Sequence, residues 1–280
     1  MSSRRPPDAL RALGRVSPPV RLQLPDGIYR LVRVFKHDFF AATCLYESGG
    51  DRIVVKFGRQ ADFAGLPLAW LGRWLVAHEC YLYQWLASVP GVPAFRGRIG
   101  PNAFAHTYVE GHALERGEHT ADAFFDQLTV LIEELHARGV AYVDLEKPEN
   151  VLVGDDGRPY LIDFQISWPW PAKAENQKPK AESPERTVKR HFSILGFRFS
   201  ALNWIRRKLQ QGDRYHLLKL RRRCRPDQLS SEQLAILERK PFPIRVHARL
   251  IAPLQRIRRS LLQRLEAPTR RGKRGERGRV

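Results

Sequence analysis

The chain has 280 residues, 43% of them hydrophobic, and a formal net charge of +19. That length holds one large domain or two modest ones, and that hydrophobic share excludes a chain disordered throughout. No run of about eighteen apolar residues is present, which excludes a membrane-spanning helix. The three scattered cysteines, Cys44, Cys80 and Cys224, exclude a disulfide framework and suit a reducing cytoplasm.

Residues 1–27 are rich in Pro, Arg and Gly and have no apolar stretch of the kind a secretory signal needs, so they are expected to form a flexible arm with one short helix at most. From Ile28 the pattern changes. Ile28–Phe35, Ala41–Glu47 and Arg52–Phe57 alternate like strands, with Ser48-Gly49-Gly50-Asp51 as the turn between the second and third. Residues 67–89 carry apolar side chains at helical spacing, and Pro90-Gly91-Val92-Pro93 stops that helix. Phe95–Ile99 and Ala103–Val109 form a second hairpin. Thr120 and Asp122 are positioned to cap a helix over about residues 121–138, which Gly139 ends. A five-stranded sheet with one helix, followed by a mainly helical part, is the expected order.

The stretch from Leu131 to Phe164 carries the chemistry. It runs helix, tight turn, acidic loop ending in Asn150, strand, Gly turn, strand, then Asp163-Phe164. That order brings Asp144, Asn150 and Asp163 to neighbouring strand ends. Phosphoryl transfer from ATP needs such a set: a carboxylate to orient the attacking hydroxyl and two oxygen ligands for Mg²⁺.

These residues resemble the protein-kinase-like superfamily. Its catalytic loop, His-Arg-Asp-Leu-Lys-Pro-Glu-Asn, is matched by Tyr142-Val143-Asp144-Leu145-Glu146-Lys147-Pro148-Glu149-Asn150, and its later Asp-Phe-Gly by Asp163-Phe164-Gln165. The resemblance implies an α+β, two-lobe protein-kinase-like fold, with a small antiparallel N-lobe sheet and a mainly helical C-lobe. In those terms residues 28–111 form the N-lobe with its nucleotide-binding sheet, 112–265 the helical C-lobe, and 266–280 a disordered basic tail. It also implies ATP and Mg²⁺ as cofactors. Asp144 would orient the acceptor hydroxyl, Lys147 would neutralise the transferring phosphoryl group, and Asn150 and Asp163 would hold the metal. Ile53-Val54-Val55-Lys56 resembles the family's Val-Ala-Ile-Lys, so Lys56 would hold the phosphates, with Glu79 as its ion-pair partner. Thr107-Tyr108-Val109 resembles the family's hinge, where backbone groups of Thr107 and Val109 meet the adenine edge.

Four departures bear on function. Lys36-His37-Asp38-Phe39-Phe40 stands where a glycine-rich loop is expected, which leaves Lys36 or His37 to supply charge in place of backbone amides. Asn150 follows Asp144 by six residues, not five, as if Glu146 were inserted. Gln165 replaces a glycine, and Val143 replaces the arginine that would clamp an activation-loop phosphate; no Ala-Pro-Glu segment follows. These features resemble small-molecule and glycolipid kinases of the fold, among them kinases of lipopolysaccharide core sugars (heptose or Kdo). An envelope glycolipid or other small molecule is therefore the expected acceptor. A scaffold with a degenerate kinase fold and an atypical Ser/Thr protein kinase are the alternatives.

Charge is unevenly spread. Residues 1–167 hold 18 Lys and Arg against 20 Asp and Glu, whereas residues 168–280 hold 30 against 9. A Lys- and Pro-rich linker opens at Trp168-Pro169-Trp170-Pro171. Two amphipathic basic helices are expected after it, over residues 192–209 and 246–265, with an arginine-rich segment, residues 213–227, between them. Such helices suit an anionic membrane surface and a cytoplasmic protein at the periphery of the inner membrane. The arginines could instead meet nucleic acid, but no readout motif favours that partner.

Overall fold

The computed structural model describes residues 7–169 and 194–238. The fold is a mixed α+β, protein-kinase-like arrangement: a curled antiparallel sheet beside a mainly helical part. β1 (Arg21–Leu24), β2 (Gly27–His37), β3 (Ala41–Ser48) and β4 (Asp51–Gly58) are followed by the helix α1 (Ala69–Trp85) and then by β5 (Phe95–Ile99) and β6 (Ala103–Thr107). These strands form one six-stranded sheet in the order β1-β2-β3-β4-β6-β5. The turn between β3 and β4 is closed by Gly49 at φ 56° and Gly50 at φ 90°, a left-handed pair that twists with the strands and that side chains resist.

The sheet has one strand more than the sequence suggested, and residues 7–27 are not an arm. Pro25-Asp26 is a two-residue link that folds β1 back onto β2, with Leu24 opposite Gly27. Ahead of it, Leu10 and Leu13 are buried, and Leu13 joins Tyr29, Ala42, Cys44, Tyr46 and Val55 in a core on the outer face of the sheet. Burying both faces of the sheet explains why this stretch packs: without it, that apolar row would lie in water.

The opposite face meets α1. Gly72 lets the helix backbone approach the end of β4, since a Cβ there would lie 1.9 Å from the Arg59 carbonyl oxygen. α1 also joins the second core, which continues through Phe104 into α2 (Phe124–Ala137). Chain order then gives β7 (Gly111–Ala113) before α2, and β8 (Val140–Ala141), β9 (Val151–Gly154) and β10 (Pro159–Leu161) after it. β9 pairs with both β7 and β10, which anchors the C-terminal end of the loop over residues 142–150. β11 (Trp168–Pro169) pairs with β8, which carries ordered chain to Pro169, past the point where a linker was expected to open.

The helical part departs further from expectation. Thr120 and Asp122 do not cap α2: its N-cap is Ala123, without a side-chain bond. Instead the Thr120 carbonyl and the Asp122 carboxylate receive Arg225, at 2.8 and 2.7 Å. The two basic segments expected over residues 192–227 are largely one helix, α3 (Ile194–Cys224), which runs through Gly212. Arg214 pairs with Glu133, at 2.8 Å, Arg221 with Asp126, at 2.9 Å, and Arg225 also with Asp227, at 2.7 Å, so three of the five arginines in residues 213–227 serve the fold. Ile205, within the first amphipathic segment, is 40% exposed. α4 (Ser231–Glu238) follows. The expected helix over 246–265 and the basic tail lie outside the described residues. Among the described residues no helix is long and apolar enough to cross a membrane.

Candidate active site

Lys56 projects from β4 on the face of the sheet that meets α1, because each strand alternates its side chains between faces. Its Nζ donates to both oxygens of Glu79, at 2.9 and 2.7 Å, and to Oδ1 of Asp163, at 2.7 Å. One ammonium thus ties strand, helix and the segment after β10 together. Glu79 is 2% exposed and also accepts the Phe164 amide, at 3.1 Å. Burial pushes the Glu79 carboxyl up, to about 7, although Lys56 pulls against it. Burial would lower Lys56 and raise Asp163, but in both the attraction between them wins, so Lys56 stays cationic and Asp163 stays an anion. With one cation between two carboxylates, the deeper of the two holds a proton more tightly than a free carboxyl does.

Phe164 packs edge-on against Tyr83 of α1, ring centroids 5.1 Å apart, and against Tyr142, 5.4 Å apart. The tyrosine that replaces the family's histidine therefore has a structural job. Its hydroxyl donates to the Ile162 carbonyl, which fixes the strand end that presents Asp163.

In the catalytic loop, Asp144 Oδ2 accepts Lys147 Nζ at 2.7 Å and Asn150 Nδ2 at 2.8 Å. The extra residue does not disturb this set: Glu146 turns outward and pairs with Lys219 of α3, at 2.9 Å. Burial raises the pKa of Asp144, with Lys147 and Asn150 opposing, which makes its carboxylate a readier proton acceptor. Burial works against the Lys147 charge, but Asp144 outweighs it and the lysine's pKa is raised.

Two non-glycine residues here have left-handed backbones: Val143 at φ 71° and Asp163 at φ 61°. Such conformations cost on the order of 1–3 kcal/mol each and persist where neighbours enforce them. Lys56 holds Asp163. Val143 is held by Asp213, the first residue of the arginine-rich segment. Asp213 is 1% exposed and accepts the amides of Tyr142 (2.8 Å) and Val143 (2.7 Å) and Nε2 of His136 (2.9 Å). The signal was present: Asp213, Leu217, Leu220 and Cys224 share one helical stripe and are all buried, and an acid in such a stripe needs buried donors.

The residues fit a nucleotide–metal pair. Asp163 is an ionised carboxylate with its side chain 27% exposed, and Asn150 gives its amide nitrogen to Asp144, which leaves its oxygen for a cation. A Mg²⁺ ion takes one or two such ligands and completes its shell with phosphate oxygens and water. Among the described residues no group of three or more His, Cys, Asp or Glu forms a metal site by itself. At the hinge, the Thr107 amide is committed to Ala94 (2.9 Å) and the Tyr108 amide to Arg52 (3.1 Å), while the carbonyl of Thr107 accepts His106 Nδ1 (2.8 Å). Val109 follows in the same turn, outside the sheet. A groove of about 450 Å³ between α1 and Gln165–Pro169 is lined by none of Lys56, Asp144, Asn150 or Asp163.

No family model matches the chain. Several curated proteins of Arabidopsis thaliana are similar over parts of it. The serine/threonine-protein kinase OXI1 is 33% identical over 71 residues, 25% of this chain and 17% of that protein. The serine/threonine-protein kinase RHS3 is 48% identical over 50 residues, 18% and 10% of the two. The CBL-interacting serine/threonine-protein kinase 18 is 26% identical over 151 residues, 50% of this chain and 28% of that protein. The matched stretches therefore span less than a third of these relatives. They support a protein-kinase-like relationship.

Proposed function

We propose that the chain transfers the terminal phosphoryl group of ATP, with Mg²⁺, to a hydroxyl group. The observation that carries this reading is the single ammonium of Lys56 bonded to both Glu79 and Asp163, facing a loop in which Asp144, Lys147 and Asn150 are already in contact. A binding scaffold has no use for such a pre-assembled set.

Asp144 orients the acceptor hydroxyl and takes up its proton. Lys147, beside it, offsets negative charge as the phosphoryl group moves. Lys56 holds phosphate oxygens, and Glu79 keeps Lys56 in place. Asn150 and Asp163 hold the metal, which when bound screens the phosphate charges. The backbone of Thr107 and Val109 lines the adenine edge.

For the acceptor we favour a small molecule or an envelope glycolipid, because Val143 and Gln165 stand where a regulated protein kinase has arginine and glycine. An anionic membrane surface, met by the basic C-terminal two-fifths, is the partner that goes with this choice. A serine or threonine of a protein is the second reading, favoured by the names of the similar proteins.

The test measures thermal stabilisation by ATP, with Mg²⁺ and with chelator, for the wild type, Asp163→Asn and Asp144→Asn. Stabilisation should need both Mg²⁺ and Asp163 and should survive Asp144→Asn, while phosphoryl transfer in Asp144→Asn should fall about 10²–10⁴-fold. Stabilisation indifferent to Mg²⁺ and Asp163 would exclude this reading.

A further inference from the structure

Residues 28–48 contain no glycine, so the turn between β2 and β3 cannot cover phosphates with its backbone in the way a glycine-rich loop does. Most of its amides, those of Asp38, Phe40 and Ala41, are in any case taken. Oδ1 of Asp38 accepts the amides of Phe40 (2.9 Å) and Ala41 (3.0 Å), and the Asp38 amide donates to the Ala41 carbonyl at 3.0 Å. The carbonyl of Asp38 accepts Ala12 at 2.7 Å, and that of Phe39 accepts Arg59 at 2.8 Å. The turn is clamped from the outer face, with these amides and the carbonyls of Asp38 and Phe39 committed.

Side chains remain. Strand register separates the two candidates: His37 lies opposite Ala42, and Lys36 opposite Thr43. Residues paired across antiparallel strands project from the same face. Ala42 belongs to the outer core, and the His37 ring is engaged there by Arg11 and the Leu13 amide. Thr43 lies opposite Lys56 on the next strand. Lys36, Thr43 and Lys56 thus form one row on the cleft face, spanning two strand spacings, about 10 Å. Lys36 is close enough to help hold the Asp163 carboxyl below its ordinary value. It is exposed, and its Nζ rests on Oδ2 of Asp38, at 2.7 Å.

We infer that Lys36 is a phosphate-binding residue that takes over the work of the missing glycine-rich loop, and that Asp38 holds its ammonium when no nucleotide is present. Lys36 and Lys56 then grip the phosphate chain from two points of one rigid row, with the exposed Lys36 nearer the open edge. On binding, Lys36 exchanges one carboxylate for phosphate oxygens, so Asp38 competes with the nucleotide.

This inference rests on the phosphotransferase reading, and calorimetric titration with Mg²⁺·ATP, Mg²⁺·ADP and adenosine separates the two. In the wild type, ATP should bind more tightly than adenosine. Lys36→Met should weaken ATP about tenfold, the worth of one charge-assisted hydrogen bond. It should leave adenosine unchanged, and Lys36→Arg should restore most of the loss. Asp38→Asn, which keeps the oxygen that receives Phe40 and Ala41, should tighten ATP a few-fold. Unchanged ATP affinity in Lys36→Met, beside a wild type that binds ATP, would overturn the inference alone. A wild type that binds no nucleotide would overturn the phosphotransferase reading, and this inference with it.

Discussion

Two buried charges hold the two walls of the cleft, and they work in opposite senses. Below, Asp213 on α3 grips amides, those of Tyr142 and Val143. Above, Arg59 grips carbonyls: Phe39 at 2.8 Å, Asp62 at 3.1 Å and Ala9 at 3.2 Å, with its guanidinium 3.9 Å from the centre of the Phe39 ring. Both side chains are almost wholly buried, Arg59 at 0% exposure. Both walls depart from the kinase pattern, yet with different results. In the lower wall the inserted Glu146 leaves by the outside, and the catalytic side chains still converge. In the upper wall the lost glycines change the chemistry, because the amides of Asp38, Phe40 and Ala41 are bonded within the protein. An extra residue is tolerated where its side chain finds a partner elsewhere; a missing glycine must be replaced by a different group.

Removing either clamp should have the largest effect. Asp213→Ala strands two buried amides and His136 Nε2, each costing about 1–3 kcal/mol, less what water recovers. We expect a loss of roughly 2–4 kcal/mol in urea unfolding, and in the folded fraction a fall in kcat as Val143 leaves its left-handed conformation. Arg59→Ala should lose a similar amount of stability, but its kinetic cost should fall on the KM for ATP. Equal effects of the two on kcat would erase the distinction between the walls.

The difference also explains what could be read from sequence. Asp144, Lys147, Asn150, Asp163, Lys56 and Glu79 were legible because a local motif fixes their spacing and each strand fixes its face. The packing of residues 7–27 was legible only in part: Pro25-Asp26-Gly27 between two alternating stretches is a hairpin signal, but burial of Leu10 and Leu13 depends on a sheet face with nothing else to cover it. Asp213 was overlooked because the arginines after it dominate the composition of that segment, and because its donors lie 70 residues and more away along the chain. Thr120 and Asp122 have the chemistry of a helix cap. Arg225 took the Asp122 carboxylate, a competition that no local window contains.

Between the clamps lies a smaller effect that pH exposes. The Glu79 carboxyl rises from an ordinary 4.5 to about 7 in the fold, so the folded state binds that proton more tightly than the unfolded chain does. Its contribution to stability is complete below about 4.5 and is lost as pH rises towards 7. His106, buried and pushed down to about 4, acts in the opposite sense: its contribution is lost as pH falls below 6.5. The two slopes overlap, so the wild-type profile alone is uninformative. The difference isolates Glu79: the Tm of Glu79→Gln minus that of the wild type should be more positive at pH 8 than at pH 5. A difference flat across that range would mean that Lys56 keeps Glu79 ionised in the fold.

The smallest effect tests the claim that the insertion is harmless. Glu146 meets Lys219 at the surface, with the Glu146 side chain 60% exposed, and such pairs contribute about 0–1 kcal/mol. If the extra residue does no more than leave the site, Glu146→Ala and Lys219→Ala should each change stability by less than about 1 kcal/mol, with kcat and KM for ATP within about twofold of the wild type. A tenfold fall in kcat in both variants would show that the pair holds Lys147 and Asn150 against Asp144. The lower wall would then be rebuilt as thoroughly as the upper one, with α3 gripping the catalytic loop from two points, at Asp213 and at Lys219.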